Sequence, residues 1–271
     1  MQLIFLGSGP SERIPRMYHK DSVCIAARKK GAKENRTQSS IVISADNIFL
    51  LFDCTDDFLE QIEREKFDPN KLTAVIISHA HEDACAGLKL LDKRLTKKIK
   101  FYSSVKAIER IKERFKNLEN LEQAEIEDEK RFQIGPFEIK GFEVIHSIQK
   151  GFPTFAFQIK EGKTKIVYSE DVAEIPEDKE HYYKNNDCLI IDASLWSLRE
   201  KNVPKTFDID SSSGHLIVNE AYLLWIISLG NKLTIFQQIS HQWPLHERAF
   251  QILKEEMDKI SNRGGGYNEK K

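Results

Sequence analysis

Short apolar runs recur along the chain, many of them closed by Gly, Pro, Asn or Asp. Runs of that length rich in Val, Ile, Leu and Phe predict strands, and apolar residues three and four apart predict helices. Gln2–Leu6 predicts a strand entering the turn Gly7-Ser8-Gly9-Pro10. Ser39–Cys54 predicts a hairpin turning at Asp46-Asn47, and Asp56–Phe67 a helix capped by Thr55 and broken at Pro69 and Asn70. Leu72–Ser78 is almost continuously apolar, which predicts a strand buried on both faces. Helical spacing marks Cys85–Leu95 and Val105–Phe115, with a strand over Lys98–Ser104 between them. Two more hairpins, turning at Gly135-Pro136 and Gly162-Lys163, deliver His146 and Asp171. Cys188–Asp192 predicts a buried strand, Ile217–Leu229 a helix, and Lys232–Ser240 a strand. Pro244–Ile260 predicts a last helix with Pro in its first turn. Ser11–Arg36 is polar, basic and without period, too long for an idle connection.

Strands and hairpins alternate with helices throughout, with no repeat and no linker. That order predicts an α/β fold in which sheets pack together under outer helices. Residues 1–260 read as one domain and 261–271, polar and Gly-rich, as a disordered tail.

Composition narrows the class without changing the fold. The chain has 271 residues, 40% of them hydrophobic and 31% charged, with a formal net charge of -1. This suits a soluble globular protein, and the missing basic excess argues against a dedicated nucleic-acid surface. The apolar start is too short for a signal-peptide core, and no segment approaches a membrane span. Cys24, Cys54, Cys85 and Cys188 are scattered, so reduced thiols and a cytoplasmic location are expected.

The candidate chemistry gathers at strand ends. His79-Ala80-His81-Glu82-Asp83 follows the predicted buried strand, and His146, Asp171 and Asp192 end others. Neutral imidazole and carboxylate are the ligands of Zn, Mn and Fe sites. His79 and His81 can converge on one ion, with His146 and Asp171 as further ligands.

These residues carry a resemblance. His79-Ala80-His81-Glu82-Asp83-Ala84, followed by Ala86-Gly87-Leu88, is similar to the H-x-H-x-D-H hallmark of the metallo-β-lactamase superfamily. The turn after the first strand, Asp53 at the end of "LLFDC", His146 in "FEVIHS" and Asp171 in "IVYSEDV" resemble further segments of that family, so the similarity spans nearly the whole chain. Two branches are most alike: a phosphoribosyl cyclic phosphodiesterase and pyrroloquinoline quinone biosynthesis protein B. The resemblance implies an αββα sandwich of two mixed sheets with outer helices. It also implies one divalent metal ion (Zn, with Mn or Fe as alternatives) held by His79, His81, His146 and Asp171. Asp83 would accept a proton or serve as a further ligand. His215, in "SSGHLIVNEA", would contact substrate.

The chain departs from the family at Ala84, where the last hallmark histidine belongs, and at Gln238, where the C-terminal metal histidine belongs. Both changes fall on the second metal position. Relatives also carry a structural zinc site, whose positions here read His19, Asp21, Cys24 and His241. Three functional readings stand. The first is metal-dependent hydrolysis of a small-molecule or nucleotide-like phosphodiester or cyclic phosphate. The second is a single-iron oxygenase. The third is a catalytically degenerate member that binds a ligand or partner. Assembly as a homodimer is left open. Trp196 and Trp225 are expected in the core, and Trp243, beside His241, is a candidate for the site mouth.

Overall fold

The computed structural model describes residues 1–146, 153–198 and 214–264. Within these, two six-stranded sheets lie face to face. The first holds β1 (Gln2–Gly7), β2 (Ser40–Ala45), β3 (Ile48–Phe52), β4 (Ala74–Ile76), β5 (Ile99–Ser103) and β6 (Leu121–Glu125) in chain order. Its first three strands are antiparallel, and β3 to β6 run parallel. The second holds β7 (Arg131–Ile134), β8 (Phe137–Val144), β9 (Thr154–Glu161), β10 (Thr164–Ser169), β11 (Cys188–Asp192) and β14 (Thr234–Gln237), with β10, β11 and β14 parallel. A small ribbon pairs β12 (Leu195–Trp196) with β13 (Ile217–Val218).

The apolar runs are continuous because each strand feeds two cores. Ile41, Ile43, Leu50, Phe52 and Ile76 meet Phe157, Ile159, Tyr168 and Ile190 between the sheets. The alternate residues Val42, Leu51, Val75 and Phe101 face outward onto α2 (Phe58–Arg64), α4 (Leu88–Asp92) and α5 (Val105–Arg114). Val167, Leu189 and Ile191 face outward onto α6 (Glu220–Ser228) and α7 (His246–Gly264). A side-chain period of two with both faces buried is the pattern of a covered sheet. The result is the expected four-layer α/β sandwich.

Several elements differ from expectation for local reasons. Residues Ser22–Ala27, expected to be irregular, form α1, whose N-terminus Asp21 caps by accepting the Cys24 N–H at 2.9 Å. Helix α2 starts after Asp57, and the Thr55 hydroxyl donates to Gln61 Oε1 instead of capping it. The helix expected over Cys85–Leu95 is two pieces, α3 (Glu82–Cys85) and α4. Gly87 divides them: its N–H donates to Cys54 O, and a Cβ there would stand 2.1 Å from Thr55 O. The strand expected over Leu72–Ser78 is regular only over Ala74–Ile76. β6 was hidden by its polarity, because an edge strand can present Glu and Gln to solvent. Ile217-Val218 pair as β13, so α6 begins after the Asn219 cap. α7 begins at His246, past Pro244, and runs to Gly264, so residues 261–264 extend the helix in place of the expected tail. The rest of that tail lies outside the described residues. No helix among the described residues is long and apolar enough to cross a membrane.

Candidate metal centre

The parallel strands of both sheets run toward one end of the sandwich, and the polar residues gather there. β4 ends just before Ser78, whose carbonyl accepts the Phe155 N–H at 3.0 Å and links the two sheets. The next residue is His79, fully buried. Asp53, at the end of β3, accepts from both the Ser78 N–H and the Ser78 hydroxyl, at 2.8 and 2.9 Å. The Ser78 oxygen is therefore left to accept from His79 Nδ1 at 2.8 Å, which turns His79 Nε2 toward the centre. Tyr168 OH donates to the other Asp53 oxygen at 2.9 Å. Asp53 thus positions His79 through Ser78, and burial pushes its carboxyl up to about 7 against those hydrogen bonds.

His81 follows in extended backbone, and His146 comes in from the end of β8. His146 Nδ1 donates to Gly214 O at 2.7 Å, which leaves the Nε2 lone pair facing His81 Nδ1 at 3.1 Å. Gly214 has φ +81, and a Cβ on it would stand 2.8 Å from His146 O, so this close approach requires glycine. The three rings sit 4.6 to 5.1 Å apart between centroids. Burial first, and the neighbouring imidazoles second, hold His79 well below its ordinary pKa and His81 down at about 4. Neutral imidazole is the ligating form.

Asp171 lies after β10 with φ +53 and is 3% exposed. Its Oδ2 is 3.9 Å from His79 Nε2. Its ligand atoms belong to two further groups, one with His146 and His215 and one with His79 and Asp83. Burial first, and Asp83 next, push its carboxyl well up. Gln238 Nε2 donates to Asp171 Oδ2 at 3.1 Å, while Asp171 Oδ1 meets no hydrogen-bond partner among the described residues. His215 Nδ1 bonds to Asp192 Oδ2 at 2.7 Å and lies 3.7 Å from Asp171 Oδ1. Burial opposes charge on His215, but Asp192 outweighs it and leaves the ring at about 9.

The structure therefore brings His79, His81, His146, Asp171, Asp83 and His215 to one cavity or its floor. That cavity has a volume of about 750 Å³, and its rim carries Glu12, Asp56 and Glu82. The residues fit a divalent ion. Ligands of a tetrahedral zinc stand about 3.3 Å apart for bonds near 2.0 Å. His81 Nδ1 and His146 Nε2 are 3.1 Å apart, and the buried Asp171 Oδ1 lacks a hydrogen-bond partner among the described residues. Sequence reasoning missed the roles of Ser78, Tyr168 and Asp192. Asp192 had the signal of a carboxylate ending a buried strand, and the two hydroxyls had none.

Only part of the second expected group converges. His19, Asp21 and His241 bring ligand atoms together, with Asp21 Oδ2 3.3 Å from His241 Nδ1 and 3.7 Å from His19 Nδ1. Cys24 is not in that group: it is buried with its thiol pushed up by burial, and its backbone N–H donates to Asp21 at 2.9 Å. Arg16 Nη1 stands 2.8 Å from His241 Nε2, a cation where a second ligand face would be. Trp243 does not line the metal-centre cavity. It packs on Trp196 at 4.5 Å between centroids and donates to Ala193 O.

The fold has close counterparts among solved structures. Zn²⁺-bound PqqB from Methylobacterium extorquens superposes with a TM-score of 0.80 at 19% identity, covering 97% of this chain and 96% of its own. A diphosphatase from the PhnP family gives 0.74 at 23% identity over 92% and 90%. The short form of human tRNase Z gives 0.63 at 18% over 89% and 93%. Comparison with curated protein sequences finds no match. Residues 49–236 match the beta-lactamase superfamily domain, and the chain belongs to that superfamily.

Proposed function

We propose that this protein is a metal-dependent hydrolase of a phosphodiester or cyclic phosphate, working with a single divalent ion. The observation that carries the reading is the three-imidazole cluster beside Asp171, facing the same cavity as the Asp192-held His215. His79, His81, His146 and Asp171 would hold the ion. When bound, it supplies Lewis acidity and lowers the pKa of a coordinated water. The chain's own residues do the rest. Asp83 accepts a proton from the attacking water. Asp192 holds His215 by Nδ1, so the other ring nitrogen donates to the leaving oxygen.

One observation supports a single ion: Gln238, at the position of the family's C-terminal metal histidine, spends its amide N–H on the Asp171 carboxylate. The same observation favours a second reading, a single-iron oxygenase with open coordination positions. Elemental analysis of protein purified without chelator, together with turnover of a diester panel, tests both. Zinc or manganese with diester hydrolysis supports the first reading, and iron with oxygen uptake supports the second. Absence of bound metal and of turnover after loading would sink both.

A further inference from the structure

On the far side of β14 from Asp171, the edges of the two sheets leave a second opening. β1 ends one sheet and β14 the other, and α7 closes the gap between them. The cavity there has a volume of about 350 Å³ and shares no lining residue with the metal-centre cavity. Its walls are mostly apolar, including Phe5, Ile14, Val23, Trp243 and Leu253, with the 65% exposed Phe250 at its border.

Two polar groups interrupt that lining. Gln237 is fully buried, and both its amide nitrogen and its amide oxygen meet no hydrogen-bond partner among the described residues. Buried amides are ordinarily satisfied, so an orphaned one in a cavity wall marks a missing partner. Arg36 is the second. Its guanidinium bonds to the Ser8 hydroxyl at 2.7 Å and to His246 Nδ1 at 3.4 Å, neither of them a carboxylate. Glu34 also lines the cavity, but its carboxylate accepts the His246 N–H at 3.3 Å. Burial pushes the Arg36 guanidinium below its ordinary pKa, and Glu34 only partly offsets this.

We propose that this cavity binds a small organic anion with an apolar body, such as a short acyl or aryl carboxylate. The carboxylate lies against Arg36, the Gln237 amide supplies a further hydrogen bond, and the apolar body covers Trp243 and the α7 wall. Size limits the ligand to a single ring or a short chain, and the arginine selects the charge. The proposal is independent of the hydrolase reading, because none of its residues belongs to the metal centre.

Trp243 in the wall provides the readout. The full chain is titrated with octanoate and with 3-phenylpropionate, following tryptophan fluorescence and heat. Saturable binding is expected. Octanamide, the uncharged match of octanoate, should bind about tenfold more weakly or worse, the loss of a charge-assisted contact. Arg36→Met should weaken octanoate similarly, with Arg36→Lys between the two, in variants whose melting temperature stays near that of the parent. Chelator-treated protein and His79→Ala should bind as the parent does. No saturable binding of either anion at millimolar concentration overturns the proposal. So does equal binding of octanoate and octanamide, a readout that requires no variant. Binding lost with His79→Ala but kept in Arg36→Met would place the anion at the metal centre and overturn it as well.

Discussion

Gln238 donates its side-chain N–H to Asp171 Oδ2 at 3.1 Å, in a backbone held at φ +58. The side chain that stands where the family has its C-terminal metal histidine is thus an amide, engaged on the Asp171 carboxylate. Together with Ala84, buried where an imidazole would be needed, this sets the expected stoichiometry at one ion in the centre. The double substitution Ala84→His with Gln238→His should raise the content by one equivalent on elemental analysis. A value unchanged from the parent would show that the second position is closed for another reason.

His79→Ala should remove the ion from the centre. It should also abolish the rise in melting temperature that zinc gives the parent. Ligand-linked stabilisation is about 2.7 kcal/mol at a free concentration a hundred times Kd. Melting curves with chelator and with added zinc measure this directly. An equal zinc-induced shift in parent and variant would place the ion elsewhere, with His19, Asp21 and His241 the next candidates.

His215 should matter in proportion to how poor the leaving group is. His215→Ala should slow an alkyl phosphodiester by about 100-fold, the usual contribution of a positioned acid. It should change bis(p-nitrophenyl) phosphate turnover far less, because nitrophenolate leaves without a proton. Asp192→Asn should show the same leaving-group dependence in milder form, by loosening the ring. Equal slowing of both substrates would remove His215 from the acid role.

All four cysteines are free and buried, and burial pushes the Cys188 thiol up to about 11. The thiolate is the reactive form, so native protein at pH 8 should react very slowly with a disulfide reagent and release four equivalents once unfolded. Because the thiol pKa is raised, the native rate should climb as pH rises toward it. Rapid native labelling at pH 8 would contradict the packing around these residues.

Gly87→Ala should cost at least about 1–3 kcal/mol, the range for forced overpacking, since the new Cβ meets the Thr55 carbonyl. Denaturant unfolding of the two proteins gives the difference. A neutral result would mean that the α3–α4 junction yields easily.

Much of the architecture was legible because a strand covered on both faces reads as an unbroken apolar run. Ile41 to Ile43, Leu50 to Phe52 and Leu189 to Ile191 are such runs, each residue serving one core or the other. Elements whose partner is solvent or a loop were hidden. β6 looks like surface because one of its sides is surface, and α1 depends on a cap by Asp21 that composition alone does not announce. At the site, His79, His81, His146 and Asp171 were visible because polar residues are rare at the ends of buried strands. Their supports were not. Ser78 holding His79, and Gln238 holding Asp171, are contacts between segments far apart in the chain or made by residues common everywhere.

The two-sheet layout has a further consequence. His79, His81 and Asp83 follow a strand of the first sheet, while His146 and Asp171 follow strands of the second. Neither half of the chain owns the complete proposed ligand set. Cut at the turn after β6 and mixed, the two fragments would share an ion only by docking as they do in the intact protein. The metal would then act as a reporter of correct assembly, and reassociation would depend on its concentration.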